Sequence, residues 1–175
     1  ANDKHFTVNA ASLGDGNTLT LADSGTSNFV VTGLDGTITA STLAGTLGVT
    51  TADATDNSVT VTTGAGATSV NVAAGNASDT VAINALALAQ NTDLTITSGA
   101  GAAGTVNVTN LVGDLVVSNP TTGTIGVGLA DAADHGISIT AGAATLNVTA
   151  IADGDTVTVT GVDGTFTAAI AGTTG

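Results

Sequence analysis

The chain has no cysteine, methionine, tryptophan, tyrosine, arginine or glutamate, and it carries a single lysine, Lys4, a single proline, Pro120, and three phenylalanines, Phe6, Phe29 and Phe166. Each shortage closes a class. Without cysteine there is neither a disulfide framework nor a thiolate metal site. With one lysine and no arginine there is no basic surface to neutralise phosphates, which excludes nucleic acid as a partner. No apolar run reaches the roughly 18 residues that a membrane-spanning helix needs. No signal peptide stands at the front, and the missing initiator methionine reads as a processed chain or a piece of a larger one. The scarcity of aromatics also bears on the fold. A sandwich fills the space between its sheets with large side chains, whereas Val, Ile, Leu, Ala and Thr fill a thin stack of narrow rungs.

The charge is as one-sided as the packing. Fourteen acids, all of them aspartates, give a formal net charge of −13 over 175 residues. Aspartate favours turns, where its short side chain bonds nearby backbone N–H groups. An unpaired charge of this size opposes compaction unless cations screen or bind it, so divalent cations are expected.

Against these absences stands one dominant pattern. Short segments alternate apolar with polar residues and are bounded by Gly, Asp, Asn or Ser, the period-two signature of strands with one dry face and one wet face. Fifteen apolar pairs mark them, from Leu19/Leu21, Phe29/Val31 and Ile38/Ala40 through Leu94/Ile96 and Leu115/Val117 to Val157/Val159 and Phe166/Ala168. Their mean spacing is about 10.5 residues. Segments also resemble one another, because Val31-Thr-Gly-Leu-Asp-Gly-Thr-Ile-Thr-Ala40 returns as Val159-Thr-Gly-Val-Asp-Gly-Thr-Phe-Thr-Ala168. Self-similarity of this kind points to a repeat architecture.

The expected fold is therefore all-β, a parallel β-solenoid of about fifteen short strands. The two copies lie about twelve strands apart, which divides into turns of two strands (about 21 residues) or three (about 32). The segment Leu86-Ala-Leu88 reads as a further strand or a short helical turn, and counting it favours two strands per turn. The rule for parallel crossovers gives a right-handed coil. Residues 1–17 read as an N-terminal cap or docking segment and 18–175 as the solenoid.

Groups able to carry catalysis are scarce. Asp134-His135 among serines and threonines lacks any nucleophile-elbow context and reads as a loop histidine, so no catalytic residue and no enzymatic activity are expected. The carboxylates cluster differently. Asp15 with Asn17, Asp53 with Asp56, Asp131 with Asp134, and Asp153 with Asp155 form close pairs in inter-strand loops, and calcium takes six to eight such oxygens. These eight residues are the candidate calcium ligands. Each pair is equally explained by turn chemistry, in which aspartate satisfies the local backbone.

The Asp-Thr-Val fragments Ser78-Asp79-Thr80-Val81 and Gly154-Asp155-Thr156-Val157, the Ala/Thr/Gly/Val/Asp-rich strands and the absence of cysteine resemble the repetitive regions of bacterial S-layer proteins and of repeats-in-toxin adhesins. That resemblance implies a calcium-dependent β-solenoid assembled with copies of itself into a lattice or fibre outside the cell, at the cell surface. Two other readings compete. Thr-x-Thr elements such as Thr18/Thr20, Thr37/Thr39, Thr60/Thr62 and Thr95/Thr97 suit an ice- or glycan-binding face, although Thr is also an ordinary outward strand residue. Tandem β-sandwiches joined by strand addition are the other. The sequons at Asn76, Asn107 and Asn147 are frequent by chance in so threonine-rich a chain.

Overall fold

The computed structural model describes residues 4–23, 25–52, 58–73, 79–98, 104–118, 123–130, 136–140, 145–151, 154–161 and 163–170. Among them there is no helix, and every hydrogen-bonded strand pair is parallel. Sixteen strands form two sheets of eight, and the odd-numbered strands lie in one and the even-numbered in the other. The first sheet holds β1 (His5–Asn9), β3 (Asn28–Leu34), β5 (Leu47–Thr51), β7 (Thr68–Val72), β9 (Asp93–Ser98), β11 (Asp114–Ser118), β13 (Gly136–Thr140) and β15 (Thr156–Thr160). The second holds β2 (Thr18–Thr20), β4 (Thr37–Thr39), β6 (Ser58–Thr62), β8 (Thr80–Asn84), β10 (Thr105–Leu111), β12 (Thr124–Leu129), β14 (Thr145–Ile151) and β16 (Phe166–Ile170).

Each coil thus contributes one strand to each sheet, which makes the fold a β-solenoid with two strands per turn. The sandwich alternative fails on this point, since sandwiches are built from antiparallel hairpins. The strand count expected from the sequence, fifteen, is one short: the additional strand is β1, carried by Phe6 and Val8. Leu86-Ala-Leu88 is neither strand nor helical turn. It lies in a turn closed by the Leu88 N–H donating to the Ala85 carbonyl at 3.2 Å, with Leu88 buried and Leu86 exposed.

Why these residues stack is visible in the register. Inward side chains form one column along the first sheet: Phe6, Phe29, Leu47, Thr68, Leu94, Leu115, Ile137 and Val157. A second inward column runs from Val8 through Val31, Val49, Val70, Ile96, Val117 and Ile139 to Val159. The second sheet faces them with a column running Leu19, Ile38, Val61, Ile83, Val108, Val127, Val148 and Ala168. Stacked strands lie about 4.8 Å apart, so β-branched side chains in one column touch directly and need no bulky partner. The single polar member, Thr68, is buried and donates its hydroxyl to the Gly66 carbonyl at 3.4 Å.

Corners close by backbone contact. Where the chain enters the first sheet, a β-carbon at Gly45 would overlap the Ser27 carbonyl of the coil beneath. Only glycine allows so close an approach of two backbones.

Candidate functional site

The solenoid presents three kinds of surface: turn carboxylates, two flat outer faces and two ends. Of the eight candidate calcium ligands, Asp53, Asp56, Asp131, Asp134 and Asp153 lie outside the described residues, as does His135. Asp15 and Asn17 sit in the turn between β1 and β2, where the Asn17 side-chain amide donates to the Leu13 carbonyl and its backbone N–H to the Gly14 carbonyl. Asp155 lies immediately before β15.

Stacking assembles acids that sequence neighbourhood does not. Asp15 meets Asp35 of the next coil, and the Asp35 carboxyl is held above its ordinary value of 3.8, first by burial and then by the charge and the hydrogen bond of Asp15, with a smaller push from Asp79. Asp93 and Asp114 are direct register partners on β9 and β11. Asp114 in turn accepts the Gly136 backbone N–H at 2.7 Å, so part of its lone-pair capacity serves the next coil. Neither Asp35, Asp93 nor Asp114 was singled out from the sequence. The signal was a spacing of one coil, about 20 residues, rather than two or three. Among the described residues no three carboxylate or imidazole groups come together as a metal site. What these residues offer is pairs of acids, short of the six to eight oxygens calcium takes.

Asp23 behaves in the opposite way. Its carboxyl is held below 3.8 by hydrogen bonds from the Ser27 hydroxyl, the Ser27 N–H and the Gly25 N–H, the Ser27 N–H lying 3.0 Å from Oδ2. It closes the loop before β3, which is the turn role expected of aspartate.

On the outer face of the second sheet, three Thr-x-Thr elements fall into register. Thr18, Thr37 and Thr60 form one column, and Thr20, Thr39 and Thr62 form its neighbour. The array stops at β8, where Ala82 and Asn84 take the two positions. Thr95/Thr97 and Thr156/Thr158/Thr160 lie on the other sheet, on β9 and β15, so the sequence elements do not combine into one continuous threonine face. An outer column of the first sheet is polar in another way: Asn28 accepts the Thr46 N–H at 3.1 Å and the Thr46 hydroxyl at 2.9 Å, and its amide nitrogen lies 3.5 Å from His5 Nδ1.

Protein-family, curated-protein and solved-structure comparisons return no match to this chain. Its chemistry must be read from its own surfaces.

The ends differ from everything between them. Phe6 and Phe166, both on inward columns, are each 42 % exposed, and Val8, Leu19, Val157 and Val159 are only partly buried. Phe6 is covered on one side alone, where it stacks on Phe29 with ring centroids 4.9 Å apart. Among the described residues β1 and β15 each have one hydrogen-bonded neighbour, as do β2 and β16. Among the described residues these outermost strands therefore lack the second covering coil that interior strands have.

Proposed function

We propose that this chain is a structural building block of an extracellular bacterial surface assembly, an S-layer, filament or large adhesin, in which it associates with copies of itself. The observation that supports this reading is the stack itself, two parallel sheets of eight strands whose apolar columns are built from coil-to-coil contact. A solenoid stabilised by contacts between neighbouring coils gains from each coil added. Depressions on the first sheet are lined by Asp93 and Asp114 together with groups such as Val30, Thr46, Ser69, Val116 and Thr158.

Calcium belongs to this reading as the counter-ion of a chain with net charge −13. The acid pairs along the stack, Asp15 with Asp35 and Asp93 with Asp114, are places where a divalent cation relieves repulsion between coils. Electron microscopy of the purified chain with and without calcium, paired with thermal melting, tests both parts. Ordered assemblies that disperse on chelation, with a fall in melting temperature, support the reading. Monodisperse particles in both conditions refute the assembly role, and assemblies indifferent to chelation refute the calcium part alone.

A second reading, a binding face for ice or a surface glycan, is favoured by the register of Thr18, Thr37 and Thr60 beside Thr20, Thr39 and Thr62. Thermal hysteresis in dilute solution, abolished by Thr37→Lys, is its test.

A further inference from the structure

The two outer faces of the solenoid differ in charge. None of the eight strands of the second sheet contains a charged residue, although the chain carries 14 aspartates. Their outward columns are built of threonine, serine, asparagine, alanine and glycine, one of them running Thr60, Ala82, Asn107, Gly126 and Asn147. The first sheet instead sets Asp93 beside Asp114 on adjacent strands. Among the described acids that border the second sheet, Asp79 is buried before β8, Asp35 is hydrogen-bonded to Asp15, and Asp23 closes the loop before β3.

Resting on the self-association reading, we infer that this neutral face is the surface through which two copies of the chain meet, second sheet against second sheet.

Charge selects both the face and its occupant. Each copy carries −13, so two copies repel wherever carboxylates oppose one another, and a carboxylate buried without a partner is costly. Contact between two first sheets covers the Asp93–Asp114 pairs, whereas two second sheets meet without covering an acid of their strands. A basic partner would be drawn to the acids of the first sheet and the corners. A face without acids is where an equally acidic partner, another copy of this chain, meets least repulsion.

Hydrogen bonding and shape agree with the charge. The Thr109 hydroxyl donates to the Ile83 carbonyl at 3.4 Å and the Thr149 hydroxyl to the Val127 carbonyl at 3.2 Å, while Asn84 Oδ1 accepts the Leu86 N–H at 3.2 Å. These groups keep their partners when water leaves, which lowers the cost of covering them. No outward side chain on these strands is larger than asparagine, so two such sheets can approach to the spacing of about 10 Å found between packed sheets. Eight strands about 4.8 Å apart and about five residues long make a face of roughly 600 Å². A pair then buries about 1,200 Å², the lower edge of stable specific interfaces. Each contact is weak alone and suits an assembly held by many.

The test is the association constant of the purified chain, measured by sedimentation at fixed calcium, for the wild type and three variants that each add one negative charge. Asn107→Asp and Thr60→Asp place it on the second sheet, and Ser138→Asp places it at an exposed outward position of β13 on the first. The first two are expected to weaken association by about tenfold or more, and the third by about twofold at most. Asn107→Asp is nearly isosteric, so an unchanged melting curve and circular dichroism separate a lost contact from a lost fold. The chain has no cysteine, so a thiol introduced by Asn107→Cys is expected to be alkylated more slowly in the associated state, and one introduced by Ser138→Cys at an unchanged rate. Equal weakening by all three acidic variants, or by none, overturns the second-sheet interface and leaves self-association standing through another surface. A wild-type chain that stays monomeric at every concentration overturns both and leaves the threonine register to the ice or glycan reading.

Discussion

Leu94 and Phe6 occupy the same inward column of the first sheet, yet Leu94 is 0 % exposed in the middle of the stack and Phe6 is 42 % exposed at its end. Both are apolar residues on short strands, each followed two positions on by a second apolar residue, Val8 and Ile96. The difference lies in the neighbours. A residue in a stacked column is covered from above and below by the coils on either side, so a terminal coil with one neighbour keeps part of its core in contact with solvent. Interior coils convert the apolar pattern fully into burial, and end coils convert only part of it. In this fold position along the axis, as much as residue type, decides what a side chain contributes.

The largest expected effect follows directly. Leu94→Ala should destabilise the chain by about 2–5 kcal/mol, the range for a fully buried large-to-small change that leaves a cavity. Phe6→Ala removes a larger side chain but should cost only about 1–2 kcal/mol, since much of that side chain is already wet and the damage is confined to one terminal coil. Urea midpoints of the dilute monomer measure both, and amide exchange should place the loss of protection throughout the centre for the first and in β1 and β2 for the second. Equal costs would break the comparison.

A smaller effect of opposite sign probes the same contrast from the polar side. Thr63 follows β6 at a corner where its backbone N–H donates to the Asn84 carbonyl at 3.0 Å, and its buried hydroxyl has no hydrogen-bond partner among the described residues. Where the stack meets solvent, water would satisfy such a group, whereas here no described residue does. Thr63→Val keeps the shape and removes the stranded oxygen, so it should stabilise the chain by about 1 kcal/mol, read as a higher urea midpoint. Thr68→Val makes the control: the Thr68 hydroxyl is bonded to the Gly66 carbonyl, so the same change there should give little or no gain.

How far the sequence foretells this arrangement depends on which distance matters. The fifteen apolar pairs fall on strands or at their immediate ends because period-two alternation is a local property, readable within five residues. The first strand escapes notice because the Phe6/Val8 pair is flanked by Lys4 and His5, residues foreign to the rest of the pattern. The number of strands per turn is harder to read, because coil length varies. Register partners are 18 residues apart between Phe29 and Leu47 but 26 apart between Thr68 and Leu94, the longer coil accommodating the turn around Leu86. Acid pairs suffer most from this scatter. Asp15 and Asn17 are close in sequence, but the carboxylate that Asp15 meets is Asp35, one coil on. Once two strands per turn is established, Asp93 and Asp114 follow from their spacing alone.

The smallest effect expected is one of pH, and it again compares two places in the stack. Asp23 has a lowered folded-state pKa, so its loop-closing bonds contribute stability above about pH 3.8 and lose it as the pH falls through the lower folded value. Asp35, raised by burial and by Asp15, has the opposite sign: its contribution is fully present below pH 3.8, where it is protonated, and disappears as the pH rises through its raised value. At neutral pH the Asp23 loop is therefore intact while the Asp15–Asp35 contact between the first two coils is under strain. Asp35→Asn should raise the melting temperature slightly at pH 7 and leave it unchanged near pH 3, while Asp23→Asn should lower it at pH 7 and have no effect once Asp23 itself is protonated. If Asp35→Asn instead lowers stability at pH 7, the Asp35 carboxylate is held by something other than its acidic neighbour, and a bound cation becomes the first explanation to test by chelation.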